Sequence, residues 1–120
     1  MYLTKCGKVF GCGKNNRYQL GKKFNEAAEQ QEIFDKYQPA KQLDFFDEKI
    51  VKVIAGKFHS LFIGESGKLY GLGFNMYGQL GMPNSVYAHA EEPVEVFLDG
   101  LKVKDVKCGA HHTLLLSTDH

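Results

Sequence analysis

Apolar residues along most of this chain fall in short runs that end at glycine. Lys8-Val-Phe-Gly-Cys12 and Lys68-Leu-Tyr-Gly-Leu72 are strand-length runs hemmed by glycines, which inside a strand mark close packing of a neighbouring backbone or bulky side chain. Leu43-Asp-Phe45 and Val94-Glu-Val-Phe97 alternate apolar and polar, the period of a half-buried strand. Ile50 to Ala55 and Val103 to Cys108 make a further strand type, ended by Gly56 and Gly109. His59-Ser-Leu-Phe-Ile63 and His112-Thr-Leu-Leu-Leu116 return after a gap of hairpin length. The pattern predicts about eight strands, near 8–12, 42–46, 50–55, 59–64, 68–72, 93–97, 103–108 and 112–117. With no crossover helix between them they pair antiparallel.

These runs are two copies of one unit. The segment Gly7 to Gly21 lines up with Gly67 to Gly81 without a gap. The two agree at the leading Gly-Lys, at two inner glycines, at Asn15 and Asn75, and at the closing Gln-Leu-Gly. The Gly56-x-x-His59 segment returns in the same way as Gly109-x-x-His112. Repeat one covers 7–63 and repeat two 67–116, and four-stranded sheets recurring at such a period read as propeller blades. The fold class is all-β, antiparallel four-stranded blades, about two repeats, forming part of a larger β-propeller over residues 1–120.

Within each unit the polar residues belong to turns. Gly13, Asn15, Gln19 and Gly21, with Gly73, Asn75, Gly78, Gln79 and Gly81 in the second copy, supply positive-φ positions and side-chain amides for loop backbone groups. Gln19 and Gln79 are expected to bond loop backbone, with Leu20 and Leu80 plugging the turns into the core. His59 and His112 recur at one place in each copy, behind Gly56 and Gly109, which favours a structural role over catalysis.

The units resemble the regulator of chromosome condensation repeat family. That resemblance rests on Gly-Lys-Val/Leu-Phe/Tyr-Gly, Asn15 and Asn75, the Gln-Leu-Gly turns, and the Gly-x-x-His-Ser/Thr hairpins. It implies a share of a seven-bladed propeller. Two features depart from the family pattern: its tryptophan is Cys12 and Leu72 here, and Tyr18 stands where the second copy has Gly78. Both weaken blade packing.

Residues 22–38 form an enlarged loop, since the stretch from Gly21 to Pro39 is longer than its counterpart from Gly81 to Pro93. Asn25 to Tyr37 can form a short capped helix. Met1 to Lys5 aligns with Leu61 to Glu65, and the chain stops at the same phase of the unit. Unpaired strand edges are therefore expected at both ends. The adopted reading is an excerpt of a longer propeller; the alternative is a separate chain that completes a ring with copies of itself or a related chain.

Composition adds exclusions. A net charge of +1, from 15 basic and 14 acidic residues, gives no field for nucleic acid or membranes. An N-terminal Met-Tyr-Leu-Thr-Lys is too short and polar for a signal peptide. Three cysteines on strands or strand ends read as reduced core thiols, so an intracellular location, cytoplasmic or nuclear, is expected. Cys108-x-x-His111-His112 is half a zinc site, but the first copy has Ala55 and Phe58 there. Gly64 to Lys68 lacks phosphate-loop spacing, and Gly71-x-Gly73 lacks the third glycine of a dinucleotide fingerprint. Asp44, Asp47 and Glu48 form a solvated acidic loop or a face for a basic partner. No catalytic residue, cofactor or metal is expected.

The function read from this is a non-catalytic protein–protein interaction module, a scaffold presenting loops. Phe24, Ile33, Phe34 and Tyr37 on the enlarged loop are the leading contact residues, with Met76, Tyr77 and Tyr87 next; His89 is expected to be exposed. The bland alternative for the enlarged-loop side chains is that they cover their own blade. The resemblance implies two other functions, guanine-nucleotide exchange on a small GTPase and substrate recognition within a ubiquitin ligase. The partners expected are a protein, in the exchange reading a small GTPase, and other propeller blades.

Overall fold

The computed structural model of the protein describes residues 1–12, 17–21, 41–81 and 88–118. They form nine strands: β1 (Tyr2–Leu3), β2 (Val9–Gly11), β3 (Lys41–Leu43), β4 (Ile50–Ala55), β5 (His59–Gly64), β6 (Leu69–Phe74), β7 (His89–Glu95), β8 (Val103–Cys108) and β9 (Thr113–Ser117). Every pairing is antiparallel. The strands build three sheets, ordered β1-β2-β3, β4-β5-β6-β7 and β8-β9. The enlarged loop 22–38, the helix expected over 25–37, and Gly13, Asn15, Phe24, Ile33, Phe34, Tyr37, Tyr87 and His120 lie outside the described residues.

The complete four-stranded sheet straddles the two sequence repeats, drawing β4 and β5 from 7–63 and β6 and β7 from 67–116. Each repeat thus stitches one sheet to the next, and the stitches match. Ile50 N donates to Gly7 O at 3.1 Å, and Val103 N donates to Gly67 O at 3.1 Å.

The core lies between the sheets. Val9, Leu20 and Leu43 meet Ile50, Phe62 and Leu72 at the first junction. Leu61, Ile63, Leu69, Leu80, Ala90 and Val96 meet Val103 and Val106 at the second. Strand β5 serves both, Leu61 and Ile63 facing one way and Phe62 the other, as the two-residue period of a strand requires. A fully buried leucine or phenylalanine stabilises by about 1.5–3 kcal/mol, so β5, buried along its whole length, is the centre of the fold. Lys52 on β4 and Asp105 on β8, at equivalent places in neighbouring sheets, form an ion pair across the second junction.

Several elements differ from the expectation. Strand β1 is a ninth strand, the short counterpart of the end of β5. Strand β3 ends at Leu43 instead of continuing to residue 46, because Phe45 and Phe46 leave the ladder to pack on the first-junction core, Phe46 4.8 Å from the Phe62 ring. Strand β7 starts at His89 and runs through Pro93; it is the outer strand of its sheet, where a missing N–H costs no ladder bond. Asp99-Gly100, a dipeptide that reads in the sequence as a hairpin turn before Leu101, forms a positive-φ turn, but it links β7 to β8 in different sheets and so is not a hairpin. The thiols are not core groups: Cys6 is exposed and Cys12 and Cys108 are half-buried.

The acidic loop also has a structural use. Glu48 accepts from Ser66 N and Ser66 Oγ, both at 2.9 Å, and from Tyr70 Oη at 2.6 Å. It clips the Gly64–Gly67 turn to the segment that enters β4. Burial would raise the Glu48 carboxyl, but the bonds from Tyr70 and Ser66 outweigh it and hold the group below its ordinary pKa. Burial, then the bonded carboxylate, push the Tyr70 phenol up.

Candidate protein-interaction face

The turns that follow β2 and β6 share one construction. In the second, Gly78 N donates to Asn75 O at 3.0 Å and Gly81 N to Gly78 O at 2.9 Å. Asn75 Oδ1 accepts from Leu80 N at 3.0 Å, and Gln79 Oε1 accepts from Tyr77 N at 3.0 Å. In the first, Gln19 Oε1 accepts from Arg17 N at 2.8 Å and Gly21 N donates to Tyr18 O at 2.8 Å. Leu20 and Leu80 are buried beneath. Tyr18 adopts φ 58° where Gly78 has 72°, a left-handed conformation that strains any residue with a Cβ.

Each turn is latched to the next sheet by a hydroxyl. Ser60 Oγ donates to Gln19 O at 2.7 Å, and Thr113 Oγ1 donates to Gln79 O at 2.7 Å. Beside each hydroxyl stands the repeated histidine. Gly56 N donates to His59 O at 2.8 Å and Gly109 N to His112 O at 2.9 Å, closing two tight hairpins. A methyl on Gly56 or Gly109 would overlap the imidazole of His59 or His112, so glycine is there to admit the ring.

His59 is fully buried, and its Nε2 lies 3.2 Å from Thr113 Oγ1. Thr113 already donates its proton to Gln79 O, so its oxygen accepts from His59 Nε2–H. The ring is then the neutral Nε2–H tautomer, and its Nδ1 has no hydrogen-bond partner among the described residues. Burial, with the charges of His112 and His111 behind it, lowers the His59 pKa. The bond reaches the next sheet and does not merely cross its own turn. His112 is exposed.

Holding the turns in this way brings a run of aromatic and cationic side chains together on the same end of the sheets. Lys57 Nζ lies 5.3 Å from the Phe58 ring centre, and the Arg17 guanidinium 5.9 Å from Phe58 and 5.1 Å from Phe74. Phe74 then meets Tyr77 at 6.0 Å, and Tyr77 meets His111 at 4.7 Å. Arg17, Lys57, Met76, Tyr77 and His111 are exposed. His89 is half-buried, contrary to expectation, packed on Phe74 at 5.4 Å and Tyr18 at 5.9 Å; burial and then Arg17 lower its pKa.

Of the partner-contact residues read from the sequence, Met76 and Tyr77 lie on this face. Phe24, Ile33, Phe34, Tyr37 and Tyr87 fall outside the described residues. Arg17, Lys57, Phe58 and His111 were missed. Arg17 aligns with Tyr77 and Phe58 with His111, so a legible signal existed: they vary between copies beside positions that do not.

Antiparallel blades joined by tandem repeats, with apolar junctions between them, define part of a repeat-built β-propeller. The chain belongs to the family of the regulator of chromosome condensation (RCC1) repeat, whose model matches residues 6–63 and 66–116. It is 32% identical to a Dictyostelium discoideum bifunctional serine/threonine-protein kinase/NEDD4-like E3 ubiquitin-protein ligase, over 99% of this chain and 7% of that protein. It is 29% identical to the Mus musculus RCC1-like G exchanging factor-like protein, over 99% of this chain and 25% of that one. The crystal structure of human WBSCR16 matches 98% of this chain and 28% of its own, at 30% identity and TM-score 0.78. The chain therefore spans a quarter or less of these curated relatives' length.

Proposed function

We propose that this chain binds a protein partner through the Lys57–Phe58–Arg17–Phe74–Tyr77–His111 face and performs no chemistry itself. The observation that carries this is the continuous cation–aromatic run, since arginine and tyrosine are the residues that dominate binding energy at protein interfaces. The face is presented by turns that the latches hold rigid, which lowers the ordering cost of binding. Met76, beside Tyr77, extends the apolar area.

The test is affinity purification with quantitative mass spectrometry, comparing the chain with an Arg17→Ala/Tyr77→Ala variant. Proteins retained by the first and lost by the second, with unchanged circular dichroism, support the reading; an identical set of bound proteins refutes it. The name of the mouse relative favours a second reading, nucleotide exchange on a small GTPase through the same face. Nucleotide-release assays over a panel of small GTPases decide between the two.

A further inference from the structure

The two cations of the face are held by rings instead of carboxylates. The Arg17 guanidinium lies over Phe74 at 5.1 Å and Phe58 at 5.9 Å, and Lys57 Nζ over Phe58 at 5.3 Å. Among the described residues the ion pairs are Lys52–Asp105 and Lys68–Glu95, and neither belongs to this face. A ring takes up the flat side of a guanidinium and leaves the N–H edges of its fork directed elsewhere. Those edges match the two oxygens of a carboxylate, and both cations are exposed.

Acidic groups gather at the other end of β5. Lys57 stands in the hairpin just before that strand, whereas Asp47, Glu48 and Glu65 cluster where it ends, by Gly64. The stretches 13–16 and 82–87, which flank the two turns in sequence, contain no aspartate or glutamate, and the first adds Lys14. At His89, already lowered by burial, the charge of Arg17 outweighs that of Glu91. A net charge of only +1 for the whole chain thus hides a positive end.

The apolar part of the face adjoins the cations. Tyr77 is 67% exposed and Met76 47%, and the Tyr77 ring lies 6.0 Å from Phe74. Phe74 therefore separates the guanidinium from the tyrosine by a distance that two or three extended residues span at ~3.3 Å each. Side chains two apart on an extended segment point the same way.

We propose that the face takes an acidic segment of a partner protein, in which an aspartate or glutamate stands two positions from an aromatic or large aliphatic residue. The carboxylate accepts from the N–H edges of Arg17, Lys57 attracts further negative charge beside it, and the apolar residue packs on Met76 and Tyr77. Nucleic acid fits less well. The phenylalanine rings already lie under cations, which leaves few open rings for bases, and two cations make a short phosphate track. This inference rests on the face being the binding surface and specifies the chemistry of its partner.

The probe is a pair of fluorescent peptide pools, Asp/Glu-x-Phe/Leu and its amide counterpart Asn/Gln-x-Phe/Leu, with identical flanks. Each is titrated against the 120-residue chain by fluorescence polarisation. The acid pool should bind about tenfold more tightly than the amide pool, and the preference should shrink as salt rises from about 50 to about 500 mM. Arg17→Ala should abolish the preference, Arg17→Lys should keep it only in part because lysine lacks the forked edge, and Tyr77→Ala should weaken both pools alike. Each variant alters an exposed side chain, and circular dichroism checks its fold. Equal binding of the two pools overturns the proposal, as does binding of neither, or tighter binding of single-stranded polyuridylate. Residues 22–38 carry Glu26, Glu29, Glu32 and Asp35; acid-pool binding confined to a chain lacking residues 24–36 would assign the face to the chain's own loop and likewise overturn it. Equal binding of both pools that Arg17→Ala/Tyr77→Ala abolishes would still leave the face a binding surface, so the two readings fail separately.

Discussion

The His59 imidazole donates from Nε2 to the Thr113 hydroxyl at 3.2 Å, joining the centre of one sheet to the first residue of the last strand of the next. The ring is held neutral, because a second proton would place a charge and an unpaired Nδ1–H out of water, Nδ1 being buried without a partner among the described residues. A histidine whose folded pKa lies below its unfolded value of about 6.5 binds more protons unfolded. Its stabilising share is present above that value and is lost as pH falls below it toward the lowered folded pKa. Stability measured by urea unfolding should therefore decline below pH ~6.5. The Glu48 carboxyl, also lowered, adds a second decline below its own unfolded range near pH ~4.3. His59 Cε1–H resonances that titrate at the ordinary value would contradict the first step.

Gly56 and Gly109 accommodate equivalent rings in unequal surroundings. Gly56→Ala forces a methyl against the fully buried His59 and should cost about 1–3 kcal/mol. Gly109→Ala meets His112, an exposed ring that can swing away, and should cost less. Equal losses in chemical denaturation would show that backbone effects, not ring crowding, dominate.

Gly78 isolates backbone strain, since a Cβ there meets nothing within 4 Å. Gly78→Ala should destabilise by about 1 kcal/mol from its positive φ alone. Tyr18 already bears that strain but also packs on His89, so Tyr18→Gly should change stability by less than about 0.5 kcal/mol. Thermal unfolding of the two variants checks the asymmetry.

Gln79 is buried and Gln19 only half-buried, although their Oε1 atoms accept equivalent backbone bonds. Gln79→Ala should cost about 1–2 kcal/mol because less water can reach the abandoned Tyr77 N–H. Gln19→Ala should cost under about 1 kcal/mol. Equal losses for the two variants in chemical denaturation would show that burial of the abandoned N–H does not set the cost.

The repeat, the antiparallel strands and the turn chemistry were legible in the sequence because each depends on local spacing. Glycine ends a run where positive φ or a close ring is needed, and the recurrence of Gly7–Gly21 at Gly67–Gly81 carried the same solution from one copy to the other. Residues 22–38, the first choice for partner contact, lie outside the described residues. What local spacing could not supply was the phase of the sheets. Strands β4 to β7 form one sheet because hydrogen-bonded edges, not repeat boundaries, decide partnership. The same holds for the face. Arg17 and Phe58 belong to distant segments of the chain, and the Ser60 latch onto Gln19 brings them together. The sequence alone determined which residues turn and where the strands run. Tertiary structure decided which sheet faces which, and so which side chains share a surface, because packing between sheets is a long-range choice that no window of the chain contains.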